Sequence, residues 1–410
     1  LNANNFFNNK NGMQRPAFSQ NQYGLSLGGR IVRDKTFFFG AWEGFRLRQG
    51  VPYTMTVPTV DMRNGDFSKV YTSASKLIVI YDPLTTCGTL GNAPCDSSTT
   101  VRRTPFPGNF IPVDRRDPVA LKFLNRLFPL PNIPGNALTG ANNYSANASV
   151  GGDNDQYNFR IDQNVSDKQR MFGRVTFWNA KTLPKDPYRN NTYPGGEGPE
   201  YFNTKQAVIA DTYLFTPNII GDLRIAWLRF PYGREPEMLG FDVTQLGLPA
   251  YMNQALRIRT LPTVNVQGMS ATGQVYIFAR NDSWSLAPSL THIRGRHTFK
   301  YGGELRRLTF NFTQVGSPSG QYVFDNLFTS ANPVSPTVNG VTTGLGTASF
   351  LLGFGASGTL NVPSFIAGGM LYQGYYVNDT FQATQKLTVN MGVRWEIPGP
   401  WTERFDRLTV

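Results

Sequence analysis

Five times along the chain, two runs of strand-forming residues flank a short polar turn, and a long irregular stretch separates each such pair from the next. The first pair spans 21–48, with NQYGLSLGGRIV and TFFFGAWEGFRLR on either side of Arg33-Asp34-Lys35. It reads as a β-hairpin whose Phe37, Phe38, Phe39 and Trp42 would form an interfacial aromatic girdle beside the turn. In the second pair Tyr157, Phe159, Ile161 and Val165 fall on one face, and Asn158, Arg160, Asp162 and Asn164 on the other. Beyond a turn at 166–169, Met171, Val175 and Phe177 oppose Arg170, Arg174 and Thr176. The period is two, with Gln163 and Phe172 as exceptions. A third hairpin joins 205–215 to 219–230 through Thr216-Pro217-Asn218, and its first strand alternates poorly. A fourth joins 277–291 to 298–311 around 292–297, and a fifth joins 370–382 to 387–396 through 383–386. In the last of these strands Leu387, Val389, Met391, Val393 and Trp395 alternate with Thr388, Asn390, Gly392, Arg394 and Glu396 without exception.

The connections then choose the architecture. The hairpin turns are all short, whereas 49–154, 180–204, 231–276 and 312–369 are long. One-sided looseness of this kind belongs to a membrane barrel with short periplasmic turns and long external loops. The fold class is therefore all-β: an antiparallel transmembrane β-barrel, incomplete, contributing about ten strands. Strands of about ten to sixteen residues exceed the usual soluble length and cover what a tilted membrane strand needs. A soluble sandwich or propeller would have shorter strands and no such asymmetry. Arg229 and Arg307 break the alternation near strand ends, where an interface tolerates charge. Gly 41, Pro 28 and Phe 30 argue against helical bundles. No apolar run reaches the length of a membrane helix, and LNANNFFNNKNG is neither an initiating segment nor a signal peptide. Residues 1–410 thus read as a slice of a larger barrel, beginning with a polar loop over 1–19.

Within the long external loop 49–154 one short helix is expected near 117–128. Asp117 provides the cap and Pro118 the first turn, while Ala120, Phe123, Leu124, Leu127 and Phe128 have helical spacing. Cys87 and Cys95 are the only thiols. Close together in a polar run, they suit a local disulfide in an oxidising compartment, the alternative being two neighbouring free thiols. A zinc site would require further ligands, and His292 and His297 lack a third partner, so no metal site is expected. The net charge is +12, but its basic residues are scattered and form no nucleic-acid module. The carboxylates have no spacing that singles out an acid and a nucleophile. Gly28-Gly29 and Gly302-Gly303 sit inside strands and do not make a phosphate loop. No catalytic residue, cofactor or nucleic-acid partner is expected. The lumen would be lined by Arg160, Asp162, Arg174, Asp222, Arg224, Lys300, Glu304, Arg306, Arg394 and Glu396, read as cross-strand charge pairs that hold register, the alternative being a ligand-contact role.

Several longer runs carry a family resemblance. NQYGLSLGGRIVRDKTFFFGAWEGFRLRQG, DQYNFRIDQNVSDKQRMFGRVTF, FDVTQLGLP, HTFKYGGELR and YYVNDTFQATQKLTVNMGVRWE closely resemble TonB-dependent receptors of the Oar-like type, abundant in soil bacteria such as Acidobacteria. The resemblance implies a bacterial outer-membrane location, a barrel of twenty-two strands around a plug, and upstream plug, TonB-interacting and regulatory-like parts. Outer-membrane lipid, the TonB complex and a scarce nutrient (oligosaccharide, siderophore or peptide) would be the partners. A surface adhesion barrel without transport and a secreted β-rich carbohydrate-active protein are the alternatives. Aromatics on loops give large contact area at low entropic cost. Capture is therefore expected at Tyr188, Tyr193, Tyr201, Phe202, Tyr232, Phe241 and Tyr251, the alternative being loop-on-loop packing or a place at the membrane rim. Cys87 and Cys95 fall in the longest external loop, and their bridge closes a ring of roughly nine residues for a modest gain. Peptide mapping of non-reduced protein from intact outer membranes should return the two cysteines cross-linked; two free thiols would refute the pairing.

Overall fold

A computed structural model describes residues 3–407 apart from 5, 11, 13, 90 and 193–197. The long strands are β1 (Phe18–Val32), β2 (Thr36–Met55), β3 (Tyr144–Ser166), β4 (Gln169–Leu183), β5 (Glu200–Thr216) and β6 (Ile219–Arg234). They continue with β8 (Val275–Arg294), β9 (His297–Gly316), β14 (Ile366–Gln382) and β15 (Thr388–Pro398). Each pairs antiparallel with the next in one open sheet, and the two-residue β16 (Thr402–Glu403) adds to β14. The shorter β7 (Thr263–Val266), β10 (Gln321–Phe324), β11 (Thr337–Val338), β12 (Val341–Thr342) and β13 (Ser357–Thr359) belong to the connections. The helices are all short: α1 (Phe6–Lys10), α2 (Val60–Arg63), α3 (Pro118–Leu127), α4 (Tyr251–Ala255) and α5 (Gly346–Leu351). None is long and apolar enough to cross a membrane.

Residues directly opposite in an antiparallel ladder share a face. One row runs Gly173, Ile209, Ile225, Leu286 and Leu305 across five strands, all on the apolar side. On the other side of β8 lie Ser283, Ser285, Ala287, Ser289 and Thr291, a polar or small-residue file. Two aromatic belts bound the apolar face. Toward the long loops Trp42 stacks on Tyr157 at 6.5 Å, and Trp227 lies 5.8 Å from Trp284. Toward the turns His297 sits between Phe381 at 4.4 Å and Phe299 at 5.4 Å, and Tyr213 meets Phe215 at 4.8 Å. From Trp284 to His292 is eight residues, which at ~3.4 Å each and ~40° of tilt is about 21 Å, close to the roughly 25 Å apolar band of a membrane barrel. Beyond the upper belt the same face turns ionic, with Arg46–Asp155 and Arg48–Asp153 each at 2.8 Å and Arg229–Asp282 at 2.6 Å. Arg229, out of pattern in the sequence, is thus paired just above the belt.

Two carboxylates fall on the apolar face near the turns, and each has a partner. Asp211 accepts from the Gln169 amide at 2.9 Å, and Asp379 lies 2.7 Å from His297 Nδ1. The first hairpin departs from expectation. Phe37 and Phe39 pair with Asp162 and Arg160 on the polar face, leaving Phe38 and Trp42 on the apolar one. Consecutive strand residues alternate sides, so FFF cannot form a single girdle. The fourth turn also tightens from six residues to Gly295-Arg296, with Gly295 at φ +61°, so His292 and His297 are strand residues. Strands β2 and β3 extend to Met55 and from Tyr144, so the first long connection is 56–143 and the expected 49–154 includes both strand ends. The N-terminal segment read as loop holds α1 and the start of β1.

The long connections fold together. Phe67, Ile80, Ile111, Leu124 and Leu127 from the first, Leu261 and Val264 from the third, and Phe350 and Leu351 from the fourth share one apolar cluster. The α3 helix supplies several of these, with the Asp117 carboxylate accepting from Ala120 N at 2.8 Å as its cap. Buried polar side chains complete the unit. Asn109 bonds the carbonyls of Phe67 and Ile78 at 2.7 and 2.9 Å and accepts from Ile80 N at 2.7 Å. Arg103 reaches the carbonyls of Leu327, Phe328 and Ser330 at 2.6–3.0 Å, tying the first connection to the fourth.

The face assignment has a direct energetic test. Ile225→Arg in the middle of the apolar face should cost about 2–4 kcal/mol of folding free energy in lipid vesicles, and Ser285→Arg on the polar face much less. Denaturant titration of both variants checks this; equal costs would contradict the assigned faces.

Candidate functional site

Binding residues concentrate where a rigid scaffold meets irregular loops. At the loop end of β4, β5 and β6 the polar face gathers an aromatic group. Phe202 lies 5.6 Å from Trp178, 6.1 Å from Phe230 and 5.1 Å from Tyr232. The register explains the convergence: Phe202 is opposite Tyr232, Thr204 is opposite Trp178, and residues two apart share a face. Trp178 Nε1 donates to Asn154 Oδ1 at 2.6 Å, and the Tyr232 hydroxyl donates to Glu200 Oε1 at 3.0 Å. The Arg234 guanidinium pairs with the same carboxylate. An apolar platform edged by a Glu–Arg pair can stack a planar or ring-shaped group and hydrogen-bond its polar rim.

Nearer the turns the polar face carries Arg160–Asp162 at 2.6 Å, Arg394–Glu396 at 2.6 Å and a Glu304–Arg306 pair. Arg160 also lies 3.8 Å over the Phe172 ring, and Arg394 donates to the Tyr372 hydroxyl at 3.0 Å. Each ion pair joins residues two apart on one strand. They are therefore not the register-holding cross-strand pairs expected from the sequence: a long guanidinium finds the carboxylate next along its own face first. Asp222 accepts from Thr212 across β5 and β6 at 2.7 Å.

The seven residues expected to capture a ligand are dispersed. Tyr188 is 5% exposed in the apolar core of the connections, edge-on to Phe128 at 6.2 Å and Tyr144 at 5.5 Å. Burial pushes its phenol well above the ordinary tyrosine range. Tyr193 lies outside the described residues. Tyr201 and Phe202 are strand residues of β5 on opposite faces, Tyr201 sitting under the Lys181 ammonium at 5.4 Å. Tyr232 is likewise in β6, beside Phe202. Phe241 packs partly buried against the core of the connections, and Tyr251, 68% exposed, stands on α4. Trp178, Phe230, Glu200 and Arg234 were not singled out in the sequence, although Trp178 follows the parity of Arg174 and Thr176 onto the polar face. Cys87 and Cys95 are joined by a disulfide, with Cα atoms 4.9 Å apart. Among the described residues no three His, Cys, Asp or Glu side chains are grouped to hold a metal ion.

A family model described as an outer membrane beta barrel domain matches residues 1–410. No curated protein sequence matches the chain. Among solved structures, the outer membrane transporter YddB of Escherichia coli aligns at 8% identity and TM-score 0.43, over 94% of this chain and 35% of its own. FpvA of P. aeruginosa, solved bound to heterologous pyoverdines, aligns at 9% identity and TM-score 0.41, over 94% and 38%. The ferric-catecholate import receptor Fiu of E. coli K12 aligns at 9% identity and TM-score 0.34, over 93% and 47%. The chain spans about a third to a half of the length of these structures.

The position of Tyr188 sets a stability expectation. Tyr188→Ala removes a buried ring from the core of the connections and should cost about 3 kcal/mol or more, whereas Tyr251→Ala should cost little. Limited proteolysis of the connections in the intact barrel checks this; unchanged resistance in Tyr188→Ala would deny it a packing role.

Proposed function

Because the chain belongs to the outer-membrane β-barrel domain family, as the match over its whole length establishes, we propose that it forms part of the wall and the external cap of a TonB-dependent receptor of the Oar-like type. On this reading the sheet is one section of a barrel of twenty-two strands, closed by strands from the rest of the protein and filled by a plug. An open sheet in lipid leaves unpaired edges at β1 and β15, and closure is what removes them. The protein moves a scarce nutrient, an oligosaccharide, siderophore or peptide, and performs no catalysis. The observation that carries the reading is the pairing of a lipid-compatible face with a charged face whose loop end holds Trp178, Phe202, Phe230 and Tyr232. First capture takes place at this platform. The TonB complex acts through the upstream part. An adhesion barrel has less need of an aromatic platform on its inner wall than of exposed loop tips.

The test is to replace Phe202 and Tyr232 by Ala together in the full-length receptor and to measure surface abundance and uptake of the substrate that a growth screen identifies. Normal abundance with uptake lowered about tenfold or more, and uptake abolished when TonB is deleted, is the expected result. Normal uptake in the double variant removes the platform from the pathway, and uptake independent of TonB removes the receptor reading.

A further inference from the structure

The packed connections contain a cleft where three of them meet. It has a volume of about 230 Å³ and is lined by Asp117, Phe123, Tyr322, Phe324 and Phe350, with Val119, Leu248 and Val264 completing its apolar wall. Phe123 meets Tyr322 edge-on at 6.3 Å, and Phe324 meets Phe350 edge-on at 4.9 Å. The volume is below the 300–1,000 Å³ typical of sites for drug-sized ligands, so any occupant is small.

One charged group faces this aromatic lining. Asp117 uses Oδ1 to cap α3, and among the described residues its carboxylate forms no ion pair. Gly353, at φ +75°, lies against it: a Cβ there would come within 2.8 Å of Asp117 Oδ2, so only glycine leaves room for the carboxylate at the cleft wall. Aromatic faces and a carboxylate together are the chemistry that recognises an organic ammonium. An anion is disfavoured, because Asp117 already occupies the helix N-terminus that would otherwise attract one. The positive end of the α3 dipole weakens the carboxylate's field, so recognition is shared with the rings. We propose that this cleft binds a small organic ammonium with an apolar or aromatic body, the charged nitrogen against Asp117 Oδ2 and the body among Phe123, Tyr322 and Phe350. Because its walls come from three connections, occupancy also braces the cap. The proposal is independent of transport and holds equally for a barrel that only binds.

The experiment uses the intact barrel protein in detergent, with protonated 2-phenylethylamine as probe and 2-phenylethanol as its neutral isostere, by titration calorimetry and thermal unfolding. The amine should bind saturably and raise the unfolding temperature of the cap, the alcohol should bind about tenfold or more weakly, and Asp117→Asn should lose a similar factor for the amine. Asparagine caps helices as well as aspartate, so the variant should keep its circular dichroism; if it does not, Asp117→Ser, a second capping residue without charge, replaces it. Absence of amine binding, equal binding of amine and alcohol, or unchanged amine binding in the capped, uncharged variant would each overturn the proposal.

Discussion

In a bilayer core no water is present to satisfy a backbone amide or carbonyl, and the rest of this molecule depends on that constraint. The chain meets it with ten strands paired in sequence order, each of 11 to 23 residues, at or beyond the roughly 9–11 that a tilted crossing needs. The surplus lies at the loop end. There the apolar face ends in tryptophans, and just beyond them Arg46, Arg48 and Arg229 are paired with aspartates. Desolvating such pairs in hydrocarbon would cost several kcal/mol per ion, so they mark where water begins. Belts and ion pairs together fix the height of the sheet in the membrane.

Carrying the strands past the membrane lets the connections fold on a stiff base. Connections of this length would ordinarily be mobile, yet these share one apolar core and are crossed by Arg103 and Asn109, whose hydrogen bonds satisfy carbonyls that would otherwise be buried unpaired. The disulfide at Cys87 and Cys95 closes the outlying tip of the same unit. The aromatic platform proposed for capture stands on the paired strands β4, β5 and β6, and the cleft beside Asp117 is walled by the packed connections.

The barrel was legible in the sequence wherever one face meets lipid, because a period of two survives there; Tyr157 to Ile161 and Val389 to Trp395 needed nothing else. The third hairpin was harder, since Ala207, Val208, Ile209 and Ala210 are all apolar and only the ladder assigns Ile209 to lipid and Val208 to the lumen side. Phe37 and Phe39 misled for the same reason, as aromatic composition does not carry parity. The site was the least legible part. Tyr188 and Tyr251 are both loop tyrosines, and only tertiary packing makes one a core residue and the other a projecting side chain. Trp178 and Phe202 lie 24 residues apart and meet only because the β4–β5 register brings them together. Of the cap only α3 was legible, because Ala120, Phe123, Leu124 and Leu127 keep helical spacing; the rest of its core comes from segments too irregular to show any period.

The central claim is that one face of this sheet meets lipid and the other lines an aqueous or plug-filled interior. Spin labels placed singly at Ile225, Ser285 and Asp282 in the membrane-inserted protein, read by power saturation with oxygen and with a water-soluble nickel chelate, test it most directly. The account predicts oxygen-dominated relaxation at Ile225, weak oxygen access at Ser285, and chelate-dominated relaxation at Asp282 above the belt. Chelate access at Ile225 equal to that at Asp282 would contradict it.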